Sequence, residues 1–498
     1  MRRVNSGHLV QFATPTFTPL FSPPTTPGHL GMGRKKRART TKAPAAKRAT
    51  CARPGVDYFT KLPAELLTEI AKYAHVDIIR QVDHPVPNLA APHYLKPVLV
   101  LAAISRRLRS IITGESSFWS YIRIDARTTR EEAVAACLER SKNHPLTILL
   151  IGDNDTEPPL FLLEDLIEHL HRWVSFSVMA PTTRYLRFLF GEWRLARRDA
   201  PILKKIYVAK TSEDVEEGNF SDDLFKMKFS SIQHVQLSLY PFQSNDTMTT
   251  LTRLEVDAPL NGGEFTFAKL ASVARDLVHL EYLNVQNALN FDRDDELGLA
   301  EEGSIIWPSL LELVVWGENT AEGFIWRYLK LFKAPKLQKF VSISPDTKDF
   351  KTDNINASQI AANMPRVQEV TLLCPHVEGD AGQKLFIFFP QVTHLTLCYY
   401  TCDGNKPSFN SFFYPEGLSD TKIWPNLKSV SLDIEAEEEA LLRSVLDCLQ
   451  RRGKDGRGIA KIIIPPGELQ KARELEVVGA EVCLADIPDF SHYGLGPG

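Results

Sequence analysis

Long apolar runs are missing from this sequence. The longest, LKPVLVLAAI and KLFIFFP, meet charges or prolines well short of the roughly 18 residues that a spanning helix needs. That removes the membrane-spanning class. Cysteine is scarce as well, at seven in 498 residues, and no secretory apolar segment precedes the first. An odd, scattered set (Cys51, Cys137, Cys374, Cys398, Cys402, Cys448, Cys483) argues against a disulfide framework and for a reducing compartment, nuclear and/or cytoplasmic. Cys398 and Cys402 in CYYTC have no second pair downstream and read as ordinary thiols. Phosphate-binding Gly-rich loops, a G-x-S-x-G elbow and H-E-x-x-H are absent. His169 and His171 stand two apart on a predicted helix and so point different ways. Asp153, Asp155 and the DRDDE run at 292–296 read as solvated loops. No enzyme activity, metal or cofactor is expected.

What remains is a soluble composition, 44% apolar and 24% charged, with an uneven distribution of charge. Residues 1–55 hold eleven Lys or Arg and no Asp or Glu, so with a net charge of −3 the rest of the chain carries −14. This tail is rich in Thr, Pro and Gly, shows no apolar period and is expected to be disordered. Within it Arg34, Lys35, Lys36, Arg37 and Arg39 cluster, with Lys47 and Arg48 just behind. Such a run reads as a nuclear-import signal, with a nucleic-acid-contacting arm or a merely solubilising tail as the alternatives. Thr14, Thr18, Ser22 and Thr26 each precede proline and are candidate phosphorylation sites.

Composition changes at Tyr58. In YFTKLPAELLTEIAKYA, Pro63 suits a first helical turn, Glu65 and Glu69 complement the helix N-terminus, and Leu62, Leu66, Leu67, Ile70 and Tyr73 line one face. HVDIIRQVDHPVPNLAAPHY, with three prolines, reads as an irregular insertion; LKPVLVLAAISRRLRSIITG then supplies two more helices, and Trp119 sits in the closing element. Three short helices cannot bury this many apolar residues among themselves, which points to a partner.

LPAELLTEIAKYA, LVLAAISRRLRSI and FWSYIRI together resemble the F-box pattern, which opens on Leu-Pro-x-Glu-Leu, carries a Val/Ile-Ser-Arg-x-Leu/Trp core and closes on Trp. The insertion after the first helix, and Leu108 where the family often has Trp, are departures from it. The resemblance implies docking onto a Skp-type adaptor of a cullin-RING ubiquitin ligase. The implied contacts are Leu62, Pro63, Glu65, Leu66, Ile70, Leu99, Ile104, Ser105, Leu108 and Trp119.

Beyond Asp125, helix-like and strand-like pieces alternate: REEAVAACLERS, PLTILLIG, LFLLEDLIEHLHRW, VSFSV. From residue 200 an apolar-x-x-apolar-x-apolar hexad recurs, beginning at Leu203, Ile232, Leu251, Leu280, Leu310, Leu337, Val367, Val392 and Leu427, and only Ser342 breaks its apolar positions. Helix-like runs such as FTFAKLASVARDL, AEGFIWRYLKLF and EEEALLRSVLDCLQRR lie between. Recurrence at this spacing predicts leucine-rich repeats, each unit too small to stand alone. The intervening positions, among them Lys204, Lys205, Tyr207, His234, Gln236, Arg253, Glu255, Tyr282, Asn284, Glu312, Glu369 and His394, are expected to form an open polar surface suited to another protein.

These irregular units, with LERSKNHPLTILL and HRWVSFSV, are similar to the large F-box families of mushroom-forming fungi, in which weak leucine-rich repeats follow the F-box. The fold expected is therefore α/β: a disordered tail at 1–55, a three-helix F-box-like module at 58–124, and a curved leucine-rich-repeat solenoid with a parallel sheet at 130–490. Its expected role is substrate receptor, with the adaptor and cullin on one side and a substrate protein on the other. The alternative is a repeat scaffold without a ligase role.

Overall fold

The computed structural model describes residues 62–82, 95–153, 160–187, 189–190, 199–210, 229–238, 248–257, 267–286, 303–316, 329–343, 357–373, 387–398, 423–433, 439–456, 458–464 and 481–484. All belong to one of the two units into which the chain divides, Tyr58–Gly498. The import candidates Arg34, Lys35, Lys36, Arg37, Arg39, Lys47 and Arg48 lie outside the described residues.

Three helices come first: α1 (Ala64–Val82), α2 (Leu95–Ile104) and α3 (Arg106–Gly114). α1 runs past the segment expected to be helical, through HVDIIRQV, and stops three residues before Pro85. Nothing in those eight residues breaks a helix; the prolines that marked an insertion begin after them. In α2, Pro97 occupies the first turn, where an amide is not needed. Ser105 ends that helix and starts the next, its hydroxyl accepting from the Leu108 amide at 3.1 Å as an N-cap. A short 3-10 turn, Ser116–Trp119, then leads straight into a strand.

That strand, β1 (Tyr121–Asp125), opens a single sheet of fourteen parallel strands. The others are β2 (Leu146–Ile151), β3 (Trp173–Ala180), β4 (Lys205–Lys210), β5 (His234–Ser238), β6 (Arg253–Asp257), β7 (Tyr282–Gln286), β9 (Glu312–Trp316), β11 (Lys339–Ile343), β12 (Glu369–Leu373), β13 (His394–Cys398), β14 (Ser429–Asp433), β15 (Lys461–Ile464) and β16 (Glu481–Leu484). Two-residue strands β8 (Ile305–Ile306) and β10 (Phe332–Lys333) pair apart from it, so the end of AEGFIWRYLKLF is a strand; its residues 321–328 fall outside the description. Strand order is chain order throughout. Parallel neighbours require a crossover, and helices α4 (Glu131–Ser141), α5 (Leu160–Glu168), α6 (Thr183–Arg187), α7 (Phe267–Asp276), α8 (Ala357–Asn363) and α9 (Glu439–Lys454) lie in such crossovers.

The register explains why the hexads recur. Ile122, Ile148, Phe176, Ile206, Val235, Leu254, Leu283, Leu313, Phe340, Val370, Leu395, Val430 and Ile462 form one row across the sheet. None is more than 2% exposed. At 1.5–3 kcal/mol or so per buried side chain, this row and its two flanking rows are what hold neighbouring units together. Ser342, the exception in the hexads, is fully buried all the same.

Each hexad has a lead-in that the pattern did not include. Three residues before the first apolar position stands another buried one: Ala200, Phe229, Met248, Leu277, Trp307, Ala334, Met364, Phe389, Trp424. In six units its carbonyl closes a tight turn onto the first hexad amide, as in Met248 to Leu251 at 3.0 Å and Trp424 to Leu427 at 3.0 Å. Pro follows that residue in six units, at the second turn position where its fixed φ fits. After the turn, one carbonyl per unit, from Lys204 to Lys428, accepts two successive amides of the next unit; the Gln233 and His234 amides both donate to Lys204 at 2.9 Å.

The helices and the sheet share a core that runs from Ala71, Ala102 and Ile112 to Ile464. Trp119 marks the junction. Its indole Nε1 donates to the Ile112 carbonyl at 2.8 Å, and Arg140 from α4 lies 4.4 Å over its ring. Trp173 repeats the device, donating to Leu166 at 3.2 Å. Two buried arginines pin backbone elsewhere. Arg172 donates to the His144 carbonyl and Ser141 hydroxyl beside Lys142, and Arg452 donates to the Ile423 and Trp424 carbonyls at 3.0 and 2.9 Å. Lys142 and Trp424 both have positive φ, at 50° and 42°, a conformation that costs a side-chain-bearing residue about 1 kcal/mol or more.

Candidate functional site

Two surfaces stand out, one on the helices and one on the sheet. On the helices, apolar side chains remain outside. Leu66 (51%), Ile70 (44%) and Tyr73 (72%) are exposed at i, i+4 and i+7 of α1; Leu99 (52%), Val100 (54%) and Ile104 (60%) are exposed on α2. These are six of the ten large hydrophobic residues exposed among the described ones. The adjoining stripes, Leu67 and Ala71 on α1 with Ala102 on α2 and Leu108 and Ile112 on α3, are buried where the helices pack together.

The ten residues implied by the F-box resemblance therefore separate into three groups by burial. Leu66, Ile70, Leu99 and Ile104 present apolar surface, and Pro63 and Glu65 are exposed beside them. Leu62 is half-buried, and so is Ser105, whose hydroxyl is committed to capping α3. Leu108 and Trp119 are both buried at 3%, Leu108 where the helices pack together and Trp119 in the core shared with the sheet. Tyr73 and Val100 belong to the exposed set and were not among the implied contacts. Helical spacing from Ile70 pointed to Tyr73, whereas nothing local separates Val100 from Leu101, which is partly buried.

The sheet's second face carries the positions between the hexad residues, and it is not one open polar surface. Over β7–β13, Tyr282, Val314, Val341, Ile343, Leu373 and Cys398 form a buried apolar cluster, and Asn284 and Gln286 are buried beside it. Over β1–β4, Tyr121, Leu149, Ile151 and Met179 form another, with Tyr207 packed against it. Glu255, Tyr282 and Asn284, expected on an open surface, are thus inside. Strands buried on both sides read as continuous apolar runs, and LVV at 313–315 and FV at 340–341 have that character.

Between the clusters, polar side chains of β3–β6 remain partly open: Ser175, Ser177, Lys205, Tyr207, His234, Gln236, Arg253 and Asp257. At the centre is the Glu255 carboxylate. One of its oxygens accepts from Arg253 Nε at 2.7 Å and lies 3.0 Å from His234 Nε2, while the Arg253 guanidinium stacks 3.7 Å over the Tyr282 ring. Burial opposes ionisation of Glu255, yet the His234 hydrogen bond and the Arg253 and His234 charges outweigh it and hold the carboxyl below its ordinary range. Burial drives the Tyr207 hydroxyl the other way, helped by Asp257 and Glu255, so it stays neutral. Asp257 accepts from Ser238 at 3.0 Å, and further along the row Lys339 pairs with Glu312 at 2.8 Å.

No metal-binding group of His, Cys, Asp and Glu occurs among the described residues, and no described helix is long and apolar enough to cross a membrane. His169 and His171 have ring centroids 6.4 Å apart, tilted at 45°. Cys398 is buried in the second-face cluster; Cys402 lies outside the described residues, as do Asp155 and 292–296. What the two surfaces offer is contact area, apolar in one place and polar in the other. Compared with protein-family models and with curated proteins, the chain finds no match.

Proposed function

We propose that this protein is the substrate-receptor subunit of a Skp-cullin-F-box type ubiquitin ligase. In this reading helices α1–α3 are the F-box and dock the Skp-type adaptor, and the parallel units that follow are a leucine-rich-repeat solenoid that holds a substrate protein. The observation that carries it is the row of exposed apolar side chains on α1 and α2, Leu66, Ile70, Leu99 and Ile104, at positions where the F-box resemblance puts adaptor contacts. An apolar surface rimmed by polar residues is uncommon on a free monomer and is characteristic of a site that a partner covers. Catalysis would belong to the ligase; this chain's part is proximity, raising the concentration of substrate lysines near the ubiquitin-loaded enzyme.

Affinity purification of the full chain tests this. Adaptor and cullin should co-purify with the wild type and be lost from Leu66→Asp combined with Leu99→Asp, both half-exposed, with the circular dichroism spectrum unchanged. If neither partner accompanies the intact protein, the ligase role fails and a repeat scaffold without it stands.

A further inference from the structure

The receptor reading leaves open which part of the sheet meets the substrate, and the pattern of burial narrows it. On the second face of β7–β12, the Val314, Val341, Ile343 and Leu373 cluster closes all but the first residues of β9, β11 and β12, where Glu312 and Lys339 pair with each other and Glu369 is exposed. Over β3–β6 the same face stays accessible, and its residues differ from an ordinary solvated surface in what they lack. Lys204 and Lys205, both exposed, have no ion pair or side-chain hydrogen bond among the described residues, and the nearby Glu255 carboxylate is already engaged by Arg253 and His234. Gln236 is half-buried and its carboxamide has no partner among the described residues, and neither has the Tyr207 hydroxyl beside it in register. At the closed end of the same row, past Glu255, Asn284 is 1% exposed with neither carboxamide atom hydrogen-bonded. Buried polar groups are nearly always paired, and each one left unpaired costs about 1–3 kcal/mol.

We infer that the substrate protein is held on the second face over β3–β6, and that the part held there is an extended acidic segment, its carboxylates over Lys204 and Lys205 and its peptide groups against Gln236 and Tyr207. A side-chain carboxamide presents a donor and an acceptor together, as a peptide group does, so Gln236 matches a main chain rather than a particular side chain. Sequence preference then comes from the two lysines, whose attraction for carboxylates is screened by salt. Tyr207 and Arg253 add the aromatic and guanidinium surface common at the centre of protein contacts. The inference rests on the receptor reading for there being a substrate, and on the burial pattern for where it binds.

The test uses the full chain and a fluorescein-labelled ten-residue peptide of alternating Glu and Ala, read by fluorescence polarisation, with the Lys and Ala counterpart as comparison. The Glu peptide should bind, less tightly as salt rises, and the Lys peptide should not. Lys204→Glu with Lys205→Glu should weaken binding by about tenfold or more, and Gln236→Ala by about threefold. Lys428→Glu with Lys461→Glu, at the corresponding places on β14 and β15, should leave it unchanged. An affinity insensitive to the first pair, equal sensitivity to both pairs, or no binding of the Glu peptide each overturns the inference. Adaptor co-purification with the Lys204 and Lys205 variant separates the two readings. Adaptor retained with peptide lost supports both. If the wild type captures no adaptor while the peptide results follow the expected pattern, the ligase role falls and the acidic-segment site remains.

Discussion

The helical end and the sheet obey opposite rules of burial. In the sheet, every hexad position from Leu203 to Leu432 is buried, and over β7–β13 an apolar cluster buries much of the reverse face as well. In α1 and α2, residues of the same chemical type, Leu, Ile and Val, stand about half in solvent. A stretch that leaves so much apolar surface uncovered stays in the free chain only at some risk to solubility, whereas the apolar rows of the sheet are already covered. The contrast separates residues whose replacement unfolds the protein from residues whose replacement should affect only what it binds.

The largest effect should come from Phe340→Ala. This ring is fully buried in the central row, 5.1 Å from Phe389, and its loss should cost about 3–5 kcal/mol, read as a lower midpoint in urea unfolding with an unchanged slope. A cost below about 1 kcal/mol would mean the row is not a shared core. Arg452→Ala should cost about 2 kcal/mol by removing the guanidinium donor from the Ile423 carbonyl, leaving the Trp424 carbonyl with the Leu427 amide alone, and releasing the positive φ of Trp424. Arg452→Lys should recover little, since a single ammonium cannot serve both carbonyls as the fork does.

Glu255 sharpens the comparison from within the sheet. Its carboxyl is held below its unfolded value of 4.5, so its contribution is fully present above that pH and is lost as pH falls through the lower, folded value. Stability measured between about pH 5 and pH 2 should therefore drop less steeply in Glu255→Gln than in the wild type; equal slopes would show that the Arg253 and His234 contacts do not favour the ionised form. Smallest of all should be Leu66→Asp, within about 0.5 kcal/mol of wild type by the same urea assay. A cost of several kcal/mol there would place Leu66 in the core and dissolve the contrast between the two regions.

How much of this could be read beforehand follows the range of the interactions involved. The hexads were visible because alternate burial of a strand imprints a short period, and the nine strands of the long sheet from β4 to β14 all begin within them. The lead-in residue three positions earlier was partly visible, since Pro follows it in six units, but Phe229, Met248 and Leu277, with no Pro after them, do not announce a turn. β1 was read as the end of the helical module because FWSYIRI serves both purposes, closing on Trp119 and starting a strand two residues later. Closure of the second face could not be derived from period alone; it depends on long-range packing, and only the doubled apolar pairs at Val314–Val315 and Phe340–Val341 hint at it. At the helical site, spacing found the exposed stripe, yet it could not tell Leu66 outside from Leu108 inside, because both suit an amphipathic face and only assembly decides which face is covered.

The paired amides on one carbonyl per unit have a consequence for how such a chain tolerates change. From His234 to Arg253 the chain advances 19 residues, and from His394 to Ser429 it advances 35, yet the strands on either side meet in the same alignment. Alignment is thus fixed locally, by each turn gripping the one before, and does not depend on how many residues lie in between. Inserts and deletions between strands can accumulate without changing the register of the sheet.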